Sequence, residues 1–298
     1  MRREVSWTGK TGVAQWDRCS LGHRKARLTS LSDHIDALAR PAIWLSARAA
    51  QQASIPTGAS QLGGQPDLPP DRAWPAKQGA PMSFVAQIRL EEAHPYDAAH
   101  LLPPTGLLCF FYDAQQTTYG TDPSDRDGFS ILYYSGDRAD LQRQPFPTAL
   151  AASARFAPRA VTFSTALTVS QTPALEIPDL VWSADQQQQY EAALAGLPVP
   201  QQPAPQHQLL GFPNTLQDDM RIECQLASHG VSMDNAATDP RTSTLSPDAS
   251  HWILLLQLDS DEQTGMRWES AGMLYYWIEH EALRQGRFDD TWVVLQSD

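Results

Sequence analysis

Two stretches of this sequence set a polar amide at the same place inside an apolar strand: "SFVAQIRL", residues 83 to 90, with Gln87, and "ILLLQLDS", residues 253 to 260, with Gln257. Each is preceded by a glycine-X-proline turn, Gly64-Gln65-Pro66 and Gly211-Phe212-Pro213. Each is followed by an apolar stretch that begins at glycine, "GLLCFFY" from Gly106 and "GMLYYWI" from Gly272. Three elements in the same order predict two similar β-rich halves about a pseudo-twofold axis. Strand alternation puts Gln87 on a face with Val85 and Arg89, and Gln257 on a face with Leu255 and Asp259. A buried amide without partners costs about 1–3 kcal/mol. Gln87 and Gln257 are therefore expected to be a structural polar pair that satisfies backbone groups where the halves join.

A chain of 298 residues with 42% hydrophobic content can bury one large core or two ordinary ones without disulfides. The longest apolar runs are of strand length, far short of the ~20 residues that span a bilayer. Arg2 and Arg3 are not followed by the apolar core of a secretory signal. Cys19, Cys109 and Cys224 are odd in number and share no metal-ligand spacing, which fits reduced thiols. A cytoplasmic protein is expected, with no membrane association.

Residues 1–30 carry seven Lys/Arg and two Asp/Glu, so the remaining body has 15 Lys/Arg against 32 Asp/Glu, near −17. This field repels nucleic acid and attracts basic partners, although a solvated acidic surface produces the same count. The basic segment reads as a poorly ordered leader or a mis-assigned start. The rest, 31–298, reads as one domain whose halves, about 41–196 and 209–298, are joined by the Pro-rich connector 197–208.

"SLSDHIDALAR" predicts a helix over 31–40, stopped by Pro41, with a strand after it. Further strands are expected at 83–90, 106–112, 129–135, 160–169, 251–259 and 272–278, with "TWVVLQS" as the last. "SADQQQQYEAALAG" has a Ser183 cap and strong helix formers, and predicts a helix over 184–195. A second helix is expected around "MRIECQL", and a short one near 279–286. Residues 229–250 read as a disordered loop. The expected fold class is α+β: a large, mainly antiparallel sheet from two pseudo-repeated halves, with a few flanking helices.

The string "LGGQPDLPPDRAWP…GAPMSFVAQIRL…LPPTGLLCFFYD", with "LLGFPNTLQDDM", "LLLQLDSDE", "WESAGMLYYWI" and "TWVVLQ", resembles the YwqG-like family of uncharacterised bacterial proteins over roughly residues 40–298. The resemblance implies a cytoplasmic α+β protein with a large antiparallel sheet and no established enzymatic activity. It also implies, for some members, an antitoxin or immunity role.

No motif specifies a chemistry. "HEALR" lacks the second histidine of a zinc helix, and "DPSDRDG" has neither the spacing nor the bidentate glutamate of a calcium loop. Neither a GxSxG elbow nor a phosphate-cradling glycine loop is present. No catalytic residue, cofactor or metal is expected. The candidates for partner or ligand binding are the acidic loop Asp259, Asp261 and Glu262, the pair Asp218 and Asp219, and the turn aromatics Trp74 and Trp268. Three functions remain: a non-enzymatic, immunity-type protein that masks a basic protein partner such as a toxin; an enzyme or small-ligand or cation-binding protein with Asp259, Asp261, Asp218 and Asp219 lining a cleft between the halves; or a purely structural subunit with a large apolar interface patch.

Overall fold

The computed structural model describes residues 38–177, 183–196 and 205–297. The basic segment 1–30, most of the expected first helix and most of the Pro-rich connector lie outside them. Where the first helix was expected to end, Ala39 and Arg40 already belong to strand β1 (Ala39–Ala49). Pairing with Val169 and Thr168 fixes them in extended backbone, and Pro41 is accommodated opposite Leu167.

Among the described residues thirteen further strands follow: β2 (Gln61–Leu62), β3 (Asp67–Leu68), β4 (Ala76–Lys77), β5 (Ala80–Pro81), β6 (Ser83–Arg89), β7 (Leu107–Tyr112), β8 (Phe129–Tyr134), β9 (Gln142–Arg143), β10 (Arg159–Val169), β11 (His207–Leu209), β12 (Trp252–Asp259), β13 (Met273–Glu279) and β14 (Trp292–Gln296). The helices among the described residues are α1 (Leu90–Ala93), α2 (Pro173–Glu176), α3 (Ala184–Gly196), α4 (Arg221–Ser228), α5 (Thr242–Leu245) and α6 (His280–Arg284). Ser183 caps α3 as expected: its Oγ accepts from Gln186 N, and Gln186 Oε1 accepts from Ser183 N.

Among the described residues ten strands form one sheet in the order β14-β13-β12-β11-β1-β10-β2-β6-β7-β8, every neighbouring pair antiparallel. The long β1–β10 ladder lies at its centre. Beyond β10 come β2, β6, β7 and β8; beyond β1 come β11, β12, β13 and β14. The sheet curls until its ends approach. Phe129 of β8 meets Trp292 of β14 edge-on at 5.5 Å, Leu295 N donates to Tyr119 O, and Trp292 Nε1 donates to Gly120 O at 2.8 Å. The result is an α+β fold with a nearly barrel-like sheet.

The two glutamines occupy matching settings. Gln87 lies opposite Gln61, and Gln257 opposite Gln208. Gln87 Oε1 accepts from Asp67 N at 2.8 Å and its Nε2 donates to Ala59 O at 2.7 Å. Gln257 Oε1 accepts from Asn214 N at 2.8 Å and its Nε2 donates to Gln206 O at 3.1 Å. Asp67 ends the stretch Gln61-Leu62-Gly63-Gly64-Gln65-Pro66-Asp67, and Asn214 ends Gln208-Leu209-Leu210-Gly211-Phe212-Pro213-Asn214. Both turns hold a glycine at positive φ, 71° at Gly64 and 73° at Gly211, where a side chain would strain the backbone. Each amide is fully buried and each closes backbone groups of a turn that no ladder satisfies. Gln87→Leu and Gln257→Leu are each expected to lower stability by about 1–3 kcal/mol in urea denaturation; an unchanged midpoint would remove that role.

Strict alternation fails at one point in each of these strands. A bulge between Phe84 and Ala86 puts Phe84 in an outer cluster with Met82, Cys109 and Phe111, while Ile88 and Leu90 stay in the main core. A second bulge lies between Leu254 and Leu256. Two other expectations are corrected. The end of the connector is strand β11, because pairing with β1 on one side and β12 on the other satisfies its backbone. Residues 229–250 are built of short helical turns, held by Val231 N on Leu226 O and by Arg241 Nη2 on Gly230 O.

Candidate functional site

The best-built polar cavity lies where the start of β1, the turn after β10, the turn after β11 and the start of α4 meet. Pro173 opens α2 and brings Glu176 beneath β1; Gly211 lets the 210–213 turn pack against Ala42 and Thr168. Glu176 bridges two arginines: Arg40 Nη2 donates to Oε2 at 3.0 Å and Arg221 Nη2 to Oε1 at 2.7 Å. Arg221 Nε also donates to both oxygens of Asp219 at 3.0 Å. The Arg40 guanidinium lies 4.4 Å from the centre of the Phe212 ring. Trp252, Leu254 and Trp277 supply the apolar wall. The enclosed space is about 10 Å³, room for one water.

Burial lowers the pKa of Arg40, which Glu176 only partly offsets and Arg221 lowers further. Burial acts the same way on Arg221, but Asp219 and Glu176 outweigh it and its pKa is raised. Next to this network Glu223 is pushed up to about 7, by burial first and then by Asp219 and Asp218. Arg221 is held by two carboxylates and Arg40 by one, Glu176, so Arg40 is the less firmly paired of the two.

The acidic loop forms a separate arrangement around His207. Asp259 N donates to His207 Nδ1 at 3.1 Å, so the neutral imidazole carries its proton on Nε2. Nε2 lies 3.9 Å from Asp261 Oδ2, beyond hydrogen-bond reach, and makes no hydrogen bond. Asp259 Oδ2 accepts from Gln206 N at 2.8 Å, and Asp261 Oδ1 from Gln263 N at 2.8 Å. Burial raises the Asp259 carboxyl; for Asp261 burial acts upward too, but His207 and Gln263 outweigh it and the pKa is lowered. Glu262 is exposed and carries no such ties.

Of the four acids expected to share a cleft, only Asp219 lines the cavity beside Arg40. Asp218 is exposed, its carbonyl accepting from Gln296 Nε2. Trp268, expected as a contact aromatic, is completely buried between Tyr112 and Phe156, because its turn folds inward over the core. Trp74 is half-buried: its Nε1 donates to Met82 O at 2.9 Å, and its ring meets Phe111 edge-on and walls a shallow hollow with Asp71, Arg72 and Asp127. Among the described residues, no group of three or more His, Cys, Asp or Glu is placed to hold a metal ion.

The residues that sequence reading missed are Arg40, Glu176, Arg221, Phe212, Trp277 and His207. They come from separate segments, and only the fold brings them together. A family model described as a domain of unknown function, DUF1963, matches residues 60–297. The chain belongs to this family. No curated protein matches it. The DUF1963 match includes both glutamine settings, Glu176, Asp219 and Arg221, while Arg40 and all of β1 precede it.

Proposed function

We propose that the protein works by binding rather than by catalysis, its acidic exterior engaging a basic protein partner in the manner of an immunity protein in the cytoplasm. The observation that carries this reading is the surface charge: among exposed described residues, fifteen are Asp or Glu and nine are Lys or Arg. Asp218 and Glu262 belong to that exterior, and Asp127 and Asp71 rim the hollow beside Trp74. Such a field speeds encounter with a cationic surface and makes it salt-dependent. The YwqG-like resemblance, with its bacterial setting, supports the same reading. No helix among the described residues is long and apolar enough to cross a membrane.

The recurrence of the Gln87 setting around Gln257 supports reading the halves as repeats of one unit, on which the acidic loop after β12 is a later difference. Asp259 and Asp261 face His207 while Asp219 faces Arg221, so we assign these acids no catalytic role. The test is capture of a partner from the native cell at low salt, followed by a titration with NaCl. Affinity for the captured protein is expected to fall roughly tenfold or more between 50 and 500 mM salt, and charge reversal at Asp218 and Glu262 to slow association. Recovery of no protein partner at low or moderate salt would sink the reading.

A further inference from the structure

The side-chain groups of the Arg40 cavity that are left without any partner among the described residues are donors. Each carboxylate oxygen in its wall already accepts from an arginine: Glu176 Oε1 from Arg221, Glu176 Oε2 from Arg40, and both Asp219 oxygens from Arg221. The Thr215 hydroxyl is engaged by Gln171, and the Gln171 amide by Asn214. Arg40 uses one nitrogen of its guanidinium, on Glu176, and its other two have no partner among the described residues. Trp277, 2% exposed, lines the same cavity, and its indole N–H has no partner among the described residues.

A buried N–H left unpaired is uncommon and costs free energy that a bound acceptor recovers. The two guanidinium groups are balanced by Glu176 and Asp219, so what Arg40, the half-exposed one, offers a ligand is free N–H donors rather than surplus charge. Stacking on Phe212 keeps the guanidinium plane oriented at the mouth, ready for a planar, two-oxygen acceptor.

We propose that this cavity is a binding site for a carboxylate, one oxygen entering the water-sized space lined by Trp277 and the other meeting the free edge of the Arg40 guanidinium at the mouth. The small enclosed volume admits the carboxylate end and leaves the rest of the ligand outside, so the site recognises a carboxylate terminus more than the body attached to it. This inference is independent of the basic-partner reading, which concerns the exposed exterior.

The test is a titration of the full chain with sodium acetate against sodium chloride at matched ionic strength. It is run near pH 6, where Glu223, raised to about 7, is largely neutral. The readout is the indole N–H resonance of Trp277, assigned by its absence in Trp277→Phe. The expected result is a saturable shift with acetate and not with chloride, with Arg40→Met weakening the apparent affinity at least tenfold while the wild-type spectrum is otherwise retained. Arg40→Lys, which keeps the charge without the planar fork, is expected to fall between. No saturable shift in the wild type, or equal affinity in Arg40→Met, overturns the proposal. Binding of inorganic phosphate in preference to acetate overturns the carboxylate assignment.

Discussion

Asp67→Ala is expected to destabilise the protein by about 3–5 kcal/mol, the cost of stripping one partner from a buried ion pair. Asp67 is completely buried. Its oxygens accept from Gly58 N at 2.7 Å, Gln87 Nε2 at 2.8 Å, and Arg143 Nε and Nη2 at 2.9 and 3.1 Å. Arg143 in turn donates to the carbonyls of Gln52 and Ile55, so this one carboxylate ties the β3–β9 pair and the turn before β2 to strand β6. Alanine leaves a guanidinium without its counter-charge and Gln87 without one acceptor. Asp67→Asn is expected to cost less, because the amide oxygen still accepts, yet more than a surface change, because Arg143 loses its charge partner. Equilibrium urea denaturation decides it: a loss below about 1 kcal/mol for the alanine variant would mean that Arg143 re-pairs elsewhere. The other half makes a natural comparison, since Asn214 stands in the matching place and bonds only to neutral groups there.

Glu223→Gln is expected to stabilise the protein at high pH and to do nothing at low pH. The folded carboxyl titrates at about 7, against 4.5 for the ordinary value, because burial and then Asp219 and Asp218 oppose its charge. Below 4.5 the group is protonated in both folded and unfolded chains and contributes no difference. Between 4.5 and 7 the unfolded chain has released the proton while the folded one retains it, so stability falls as pH rises. Above 7 the full penalty is present. The shift corresponds to roughly 3–4 kcal/mol before screening, and on the order of 1–2 kcal/mol once solvent screening of this partly exposed side chain is allowed for. Melting curves of wild type and variant from pH 4 to pH 8 should coincide at the acid end and separate with the variant higher at the basic end. Parallel curves across the range would show that Glu223 ionises freely.

Much of the sheet was legible because its strands carry local signals. "SFVAQIRL", "GLLCFFY", "WILLL" and "TWVVLQ" are apolar, bounded by turn residues, and found where expected. That Gln87 and Gln257 would bond backbone groups was legible, because an amide in a buried strand has few affordable fates; their place was not, since each closes a turn beside its own strand rather than a join between the halves. The bulges at Val85 and Leu255 were not, since an inserted residue leaves the apolar pattern unchanged. β11 was hidden by its short length inside a proline-rich stretch; two neighbouring strands, not its own composition, hold it extended. Nor could sequence place Trp268, whose aromatic character suits a surface anchor and a core plug equally well. The Arg40 cavity left no trace in any window, because Arg40, Glu176 and Arg221 meet only after β1 and β10 have paired.

The central position of β1 has a consequence for biosynthesis. Its neighbours are β10 and β11, and even the closest rung of the first ladder joins Ala49 to Arg159. During translation β1 therefore leaves the ribosome long before any strand that can pair with it has been made, while β6, β7 and β8 already have each other. Contacts of such long sequence separation form slowly, and an apolar strand with both edges open is a template for wrong partners. Pulse-proteolysis of stalled nascent chains should find the β6–β8 region protected first and β1 only after β10 has emerged.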